Sequence, residues 1–243
     1  MKKLLLLLSA ICINNIDAKS SSSDLLCHLA ELDKQELLSA KSFEQEVKNF
    51  IDQHGDINEP IFVSPFDEEE VEFMTFLDPK KKQSLLSYAL VFGENSIDFV
   101  KTLLKYGANS LQDIYLKFGE DKKSYYKGTI FDSLLMIIIG DQEGIQRNIS
   151  LEVMTNLLQN YDESEMKDII NSVFARLYPL FEVPNKKELK NTISSIQESK
   201  STLEEILEES KKYKNKHEVF ILETIINELE HTEHKLKSKL SKK

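Results

Sequence analysis

Tryptophan is absent from the 243-residue chain, and there are only seven glycines, five prolines and two cysteines. So few turn-forming residues exclude a turn-rich all-β protein and leave a mainly helical one. Two cysteines cannot make a disulfide framework. No G-x-S-x-G, phosphate-binding loop, H-E-x-x-H or C-x-x-C occurs, so no familiar catalytic or cofactor motif is present. The five histidines, His28, His54, His217, His231 and His234, are scattered. His231 and His234 share a helix with Glu230 and Glu233, but two ligands on a solvated face make a weak cation site, and a polar helix face is the simpler reading. His54 reads as a solvated residue at a helix end. We therefore expect a non-enzymatic protein with no cofactor and no bound metal.

Long apolar runs are also missing beyond the N-terminus, where the longest block, Leu134–Ile139, has six residues. At the N-terminus Lys2-Lys3 precedes an apolar core, Leu4–Ile13, too short to span a bilayer, and Ala18 offers a small-residue cleavage site. This order predicts a signal peptide over residues 1–18. Ile11 before Cys12 disfavours a lipoprotein. The expectation is export, to a periplasmic or secreted location, with no stable membrane insertion after cleavage. Removal of Lys2, Lys3 and Asp17 leaves 29 basic and 40 acidic residues, a net charge of −11. Such a balance repels nucleic acid and anionic lipid at long range and leaves specific binding only to a local basic patch, which composition does not indicate. Only Cys27 remains, in the apolar run Leu25–Ala30, where it reads as a small buried hydrophobe.

After a polar leader, Asp24 is a candidate N-cap for a first helix through Leu25–Ala30, and Ser42 with Gln45 opens a second whose buried face holds Val47, Phe50 and Ile51. Gly55 is placed as its positive-φ terminator. Residues 59–83, with Pro60, Pro65 and the acidic run Asp67–Glu70 before Lys80–Lys82, read as a solvated insert. Then Leu85, Leu86, Ala89 and Leu90 form one apolar face and Gly93 turns the chain. Asn95 or Ser96 caps a helix buried through Ile97, Val100, Leu103 and Leu104, which Gly107 stops.

Ser84–Asn109 resembles an ankyrin repeat. Ser84-Leu85-Leu86-Ser87-Tyr88-Ala89 stands where T-P-L-H-x-A runs, and Val100, Leu103-Leu104 and Gly107-Ala108-Asn109 stand where V, L-L and G-A-D run. The family's Thr-Pro and His are absent here. Val47–Ile51 with His54-Gly55-Asp56-Ile57-Asn58 is similar to the end of another repeat, and Thr129–Leu134 with Ser150–Tyr161 to a third. The resemblance covers roughly residues 24–175, with inserts at 59–83, 110–127 and 140–149. It implies a short helical solenoid with long inserted loops that binds a protein partner through its loops and inner helices. On this chain those positions are Val91, Phe92, Tyr125 and Tyr126. Paired tyrosines offer amphipathic area with little entropy to lose, and packing beneath their own insert is equally open.

Met166–Leu180 is amphipathic through Ile169, Ile170, Val173, Phe174 and Leu177, and reads as a cap on the stack. Pro179 and Pro184 mark a domain boundary, giving an ankyrin-like domain at 19–183 and a C-terminal module at 184–243. In that module Leu189, Ile193, Ile196, Leu203 and Ile206, then Phe220 to Leu240, repeat at helical spacing on either side of the polar gap Lys211–His217. A helical hairpin or a long coiled coil follows. The expected class is all-α, and the expected function is binding a protein, not nucleic acid. The alternative is assembly, through self-association of residues 185–243.

Overall fold

The structure, a computed structural model, describes residues 21–62, 81–118, 124–140, 145–181, 185–213 and 215–242. The signal-peptide segment 1–18, the acidic run Asp67–Glu70 and Pro184 lie outside the described residues. The described chain is mostly helical: α1 (Ser22–Lys34), α2 (Ala40–Asp52), α3 (Leu85–Tyr88), α4 (Ser96–Lys105), α5 (Ile130–Gly140), α6 (Ile145–Leu158), α7 (Glu163–Phe181), α8 (Lys186–Tyr213) and α9 (Lys216–Lys242). Between α3 and α4 the chain stays wound as a 3₁₀ segment, Ala89–Asn95, and Gly93 makes no open turn. One antiparallel pair, β1 (Ile114–Phe118) with β2 (Ser124–Gly128), was not expected. It occupies most of the insert assigned to 110–127. Ile114 and Leu116 are buried with half-buried Tyr115 between them, the period-two pattern of a strand covered on one face.

Packing is by consecutive pairs: α1 on α2, the 3₁₀ extension of α3 on α4, α5 on α6, and α8 on α9. Second members also meet in series, α2 on α4, α4 on α6 and α6 on α9, while α8 lies on α5 and α7 packs on α5 and α9. The α2–α4 contact is aromatic, with Phe43 and Phe99 stacked at 4.0 Å and Phe92 edge-on to Phe99 at 5.3 Å.

First members begin alike. Ser21 with Asp24, Ser84 with Ser87 and Thr129 with Asp132 each join the residue before the helix to the third residue within it. Such boxes satisfy amide groups the helix leaves unpaired. Two starts differ from expectation. Asp24 and Ser42 are the inner partners of the caps Ser21 and Ser39, so α1 and α2 begin one turn earlier.

The ends of α2 and α4 repeat one turn. His54 and Gly107 both have positive φ, 63° and 89°. The next amides, of Gly55 and Ala108, each donate 2.9 Å bonds back, to the Phe50 and Leu103 carbonyls. Asp56 Oδ1 then accepts from the Asn58 amide, and Asn109 Oδ1 from the Leu111 amide, both at 2.9 Å. The positive-φ role expected of Gly55 therefore belongs to His54. Gly55 is required for space, because a Cβ there would lie 2.4 Å from the Phe50 ring. The two turns interlock: Asn58 Nδ2 donates to the Gly107 carbonyl (3.0 Å) and its Oδ1 accepts from the Asn109 amide (2.7 Å).

α5 is apolar nearly all round and sits at the centre of the core, as such a helix must. Its C-terminal carbonyls are met from outside the helix. Buried Arg147 Nε donates to Ile138 (2.8 Å) and Ser199 Oγ, from α8, to Ile139 (2.6 Å). Pro179 does not end α7, which continues to Phe181. It falls in the last turn, two residues before the helix ends. The apolar stripes of α8 and α9, including Leu189, Ile196, Leu203, Ile221, Ile225 and Leu229, are buried within the chain. Cys27 is exposed on the outer face of α1, contrary to expectation.

Candidate partner-binding surface

Of the four residues expected to meet a partner, Phe92 and Tyr126 have described side chains. Phe92 is 7% exposed against Phe99 and belongs to the core, which corrects its assignment to a contact surface. Tyr125 lies on β2 opposite Lys117 in the strand register, and its side chain, like that of Val91, is outside the described ones. Tyr126 is half-buried, and its hydroxyl donates to Asp132 Oδ1 at 2.8 Å. Its polar end is thus taken by the fold rather than offered to a partner.

Asp132 is a fully buried hub. It also accepts from the Thr129 amide and hydroxyl, both at 2.8 Å, and from Arg176 Nε and Nη2 at 3.0 and 2.8 Å. Five donors around one carboxylate join β2, the start of α5 and α7. Burial, then the bond to Asp132, pushes the Tyr126 phenol well above its ordinary value. The bond to Asp132 raises Arg176, outweighing burial. With a full donor set and no open face, the hub is suited to holding three elements together.

The described surface does contain a cleft, of about 530 Å³, where α4, α6 and the α8–α9 tip converge. Lys101 comes from α4, Leu151, Glu152 and Thr155 from α6, and Ile206, Glu209, Tyr213 and Glu218 from the tip. Lys101 Nζ faces Glu152 Oε1 at 4.0 Å across the α4–α6 seam. The tip is tied down: Glu218 accepts from Ser210 Oγ and, at 2.8 Å, from Asn215 Nδ2. Above it Tyr213 stands 82% exposed. A buried Leu151 floor, a charged rim and one projecting aromatic ring are what a protein interface uses, since Tyr anchors large area at low entropic cost. The lining residues come from four helices, α4, α6, α8 and α9, spread over more than a hundred residues of sequence. The one local signal was Tyr213 inside a polar gap, which reads as a break in the stripe.

Compared with known protein families, curated proteins and solved structures, the chain matches none.

Proposed function

We propose that this chain is a divergent ankyrin-type repeat protein, exported by its N-terminal segment, that binds a protein partner without catalysing a reaction. The observation that carries this is the paired turn. Helices α2 and α4 end in the same positive-φ turn, with matching backbone bonds, and Asn58 of one is hydrogen-bonded into the other. Recurrent turns interlocked by a side chain are how stacked helical pairs keep register, and such stacks serve as extended binding surfaces. The caps Ser84–Ser87 and Thr129–Asp132, at the positions matched to T-P-L-H, support the same reading.

The contact surface is the cleft under Tyr213 rather than the tyrosine pair. Assembly through the C-terminal helices is the weaker proposal, because their apolar stripes are covered within the chain. The test is affinity capture from the protein's native surroundings, with the wild type and a Tyr213→Ala/Glu209→Ala variant compared by quantitative mass spectrometry. A binding module there predicts a protein recovered by the wild type and depleted with the variant, at unchanged melting temperature. Equal recovery by both would place the partner elsewhere. Recovery of nothing but the chain itself would favour assembly.

A further inference from the structure

The chain is acidic overall, yet its cations are not evenly spread. Gln197 Nε2 donates to Glu233 Oε1 (2.6 Å) and Lys200 pairs with Glu230 (3.1 Å), which sets α8 and α9 antiparallel and brings the start of α8 beside the end of α9. Lys186, Lys187 and Lys190 are exposed on the first, and Lys235, Lys237 and Lys239 on the second. The end of α7 lies against them, with Lys235 and Lys239 Nζ over the Tyr178 ring at 5.1 and 5.5 Å. It adds Leu180, 38% exposed, and half-buried Phe181. Glu188 and Glu233 are the acidic residues of these two segments, Glu233 paired with Lys237, so the six lysines leave the two segments with a net charge of +4.

Helix stability explains only half of this. Lysines in the last turns of α9 suit the negative end of its dipole, but lysines in the first turn of α8 face the positive end and oppose it. Their concentration beside the α9 lysines is therefore not a device of the fold.

We propose that this end of the molecule is a peripheral docking surface for an anionic lipid bilayer, with the lysines over the headgroup phosphates and Leu180 entering the interfacial layer. All six cations are lysines, which attract diffuse charge as compact points. Bidentate recognition of a nucleic acid base favours the fork of arginine, and Arg176 nearby is committed to Asp132. The remainder of the chain is strongly acidic and repels a long polyanion that wraps the body, whereas a flat bilayer meets one end only. The proposal is independent of the partner bound at the cleft.

The test is co-sedimentation of the full chain with vesicles of phosphatidylcholine and phosphatidylserine, about two to one, at roughly 0.1 M salt. Each lysine near such a surface changes partitioning about fivefold, so K186Q/K187Q/K190Q should lower it about a hundredfold. Binding should fade as salt rises, and K211Q/K212Q, at the far end of the hairpin, should bind as the wild type does. Unchanged partitioning of the triple variant would overturn the proposal. So would equal binding to pure phosphatidylcholine, an equal loss in K211Q/K212Q, or tighter binding to polyuridylate than to the vesicles.

Discussion

Replacing Arg176 by Met keeps most of the side-chain length and removes the guanidinium from Asp132. The Asp132 side chain is fully buried, and Arg176 supplies two of its five donors, at 3.0 and 2.8 Å. Breaking a buried ion pair from one side costs about 3–5 kcal/mol, because a charge is stranded. Two features place this case at the low end. The Arg176 side chain is 34% exposed, and Asp132 keeps the Thr129 amide, the Thr129 hydroxyl and the Tyr126 hydroxyl. The expected loss is about 3 kcal/mol, a large share of the roughly 5–15 kcal/mol of an ordinary domain. With a urea slope of about 2–3 kcal/mol per molar, the unfolding midpoint should fall by about 1–1.5 M, followed by far-UV circular dichroism. Adding Tyr126→Phe should give a non-additive total, with a coupling above about 0.5 kcal/mol, since both groups donate to one carboxylate. A midpoint shift below about 0.3 M at unchanged slope, with additive effects, would refute the hub as the joint between β2, α5 and α7.

The two glycines should fail for different reasons. Gly55→Ala sets a Cβ against the buried Phe50 ring and should cost about 1–3 kcal/mol through overpacking. Gly107→Ala meets no atom within 4 Å and should cost about 1–2 kcal/mol through its φ of 89° alone. His54→Gly, at a φ of 63°, should be tolerated in the same thermal melts. Asn58→Ala removes both side-chain bonds to the second turn and should cost about 1 kcal/mol, with faster amide exchange at Asn109. The Tyr126 phenol is raised by burial first and by Asp132 second, so its contribution is full below about pH 10 and is lost as pH rises beyond that. The advantage of wild type over Tyr126→Phe should therefore be level to about pH 10 and then shrink by up to about 1.4 kcal/mol per pH unit, measured by denaturation at each pH.

The parts that could be read from the sequence are those where one helix face decides burial. Val100 and Leu103 on α4, Val153, Leu157 and Leu158 on α6, Leu189, Ile193, Ile196 and Leu203 on α8, and Leu222, Ile225, Ile226, Leu229 and Leu236 on α9 are buried as their spacing indicates, with Ile206 and Phe220 partly so. Gly107 adopts the positive φ that its place after a periodic run implies. Other features depend on contacts that spacing does not encode. His54 takes the left-handed conformation where its own amide and that of Gly55 close the turn onto the Ile51 and Phe50 carbonyls, while the Phe50 ring fills the space beside Gly55, a choice between neighbours that spacing does not make. The strands β1 and β2 are five residues each, too short for alternation to stand out against polar neighbours. Thr129–Leu134 reads only as a repeat start; Thr129 and Asp132 cap α5, and Arg176, forty-four residues on, makes Asp132 a hub. The cleft is assembled from separate helices, so only Tyr213 marked it.

The most direct measurement is to replace Tyr213 with a photo-crosslinking phenylalanine analogue and illuminate the chain in its native surroundings, with Leu37, exposed on the α1–α2 connection, as the control position. A repeat module that binds through the cleft predicts one covalent adduct from position 213, with the protein that co-purifies with the wild type, and none from position 37. Adducts from both positions alike, or from neither while a partner still co-purifies, would contradict it.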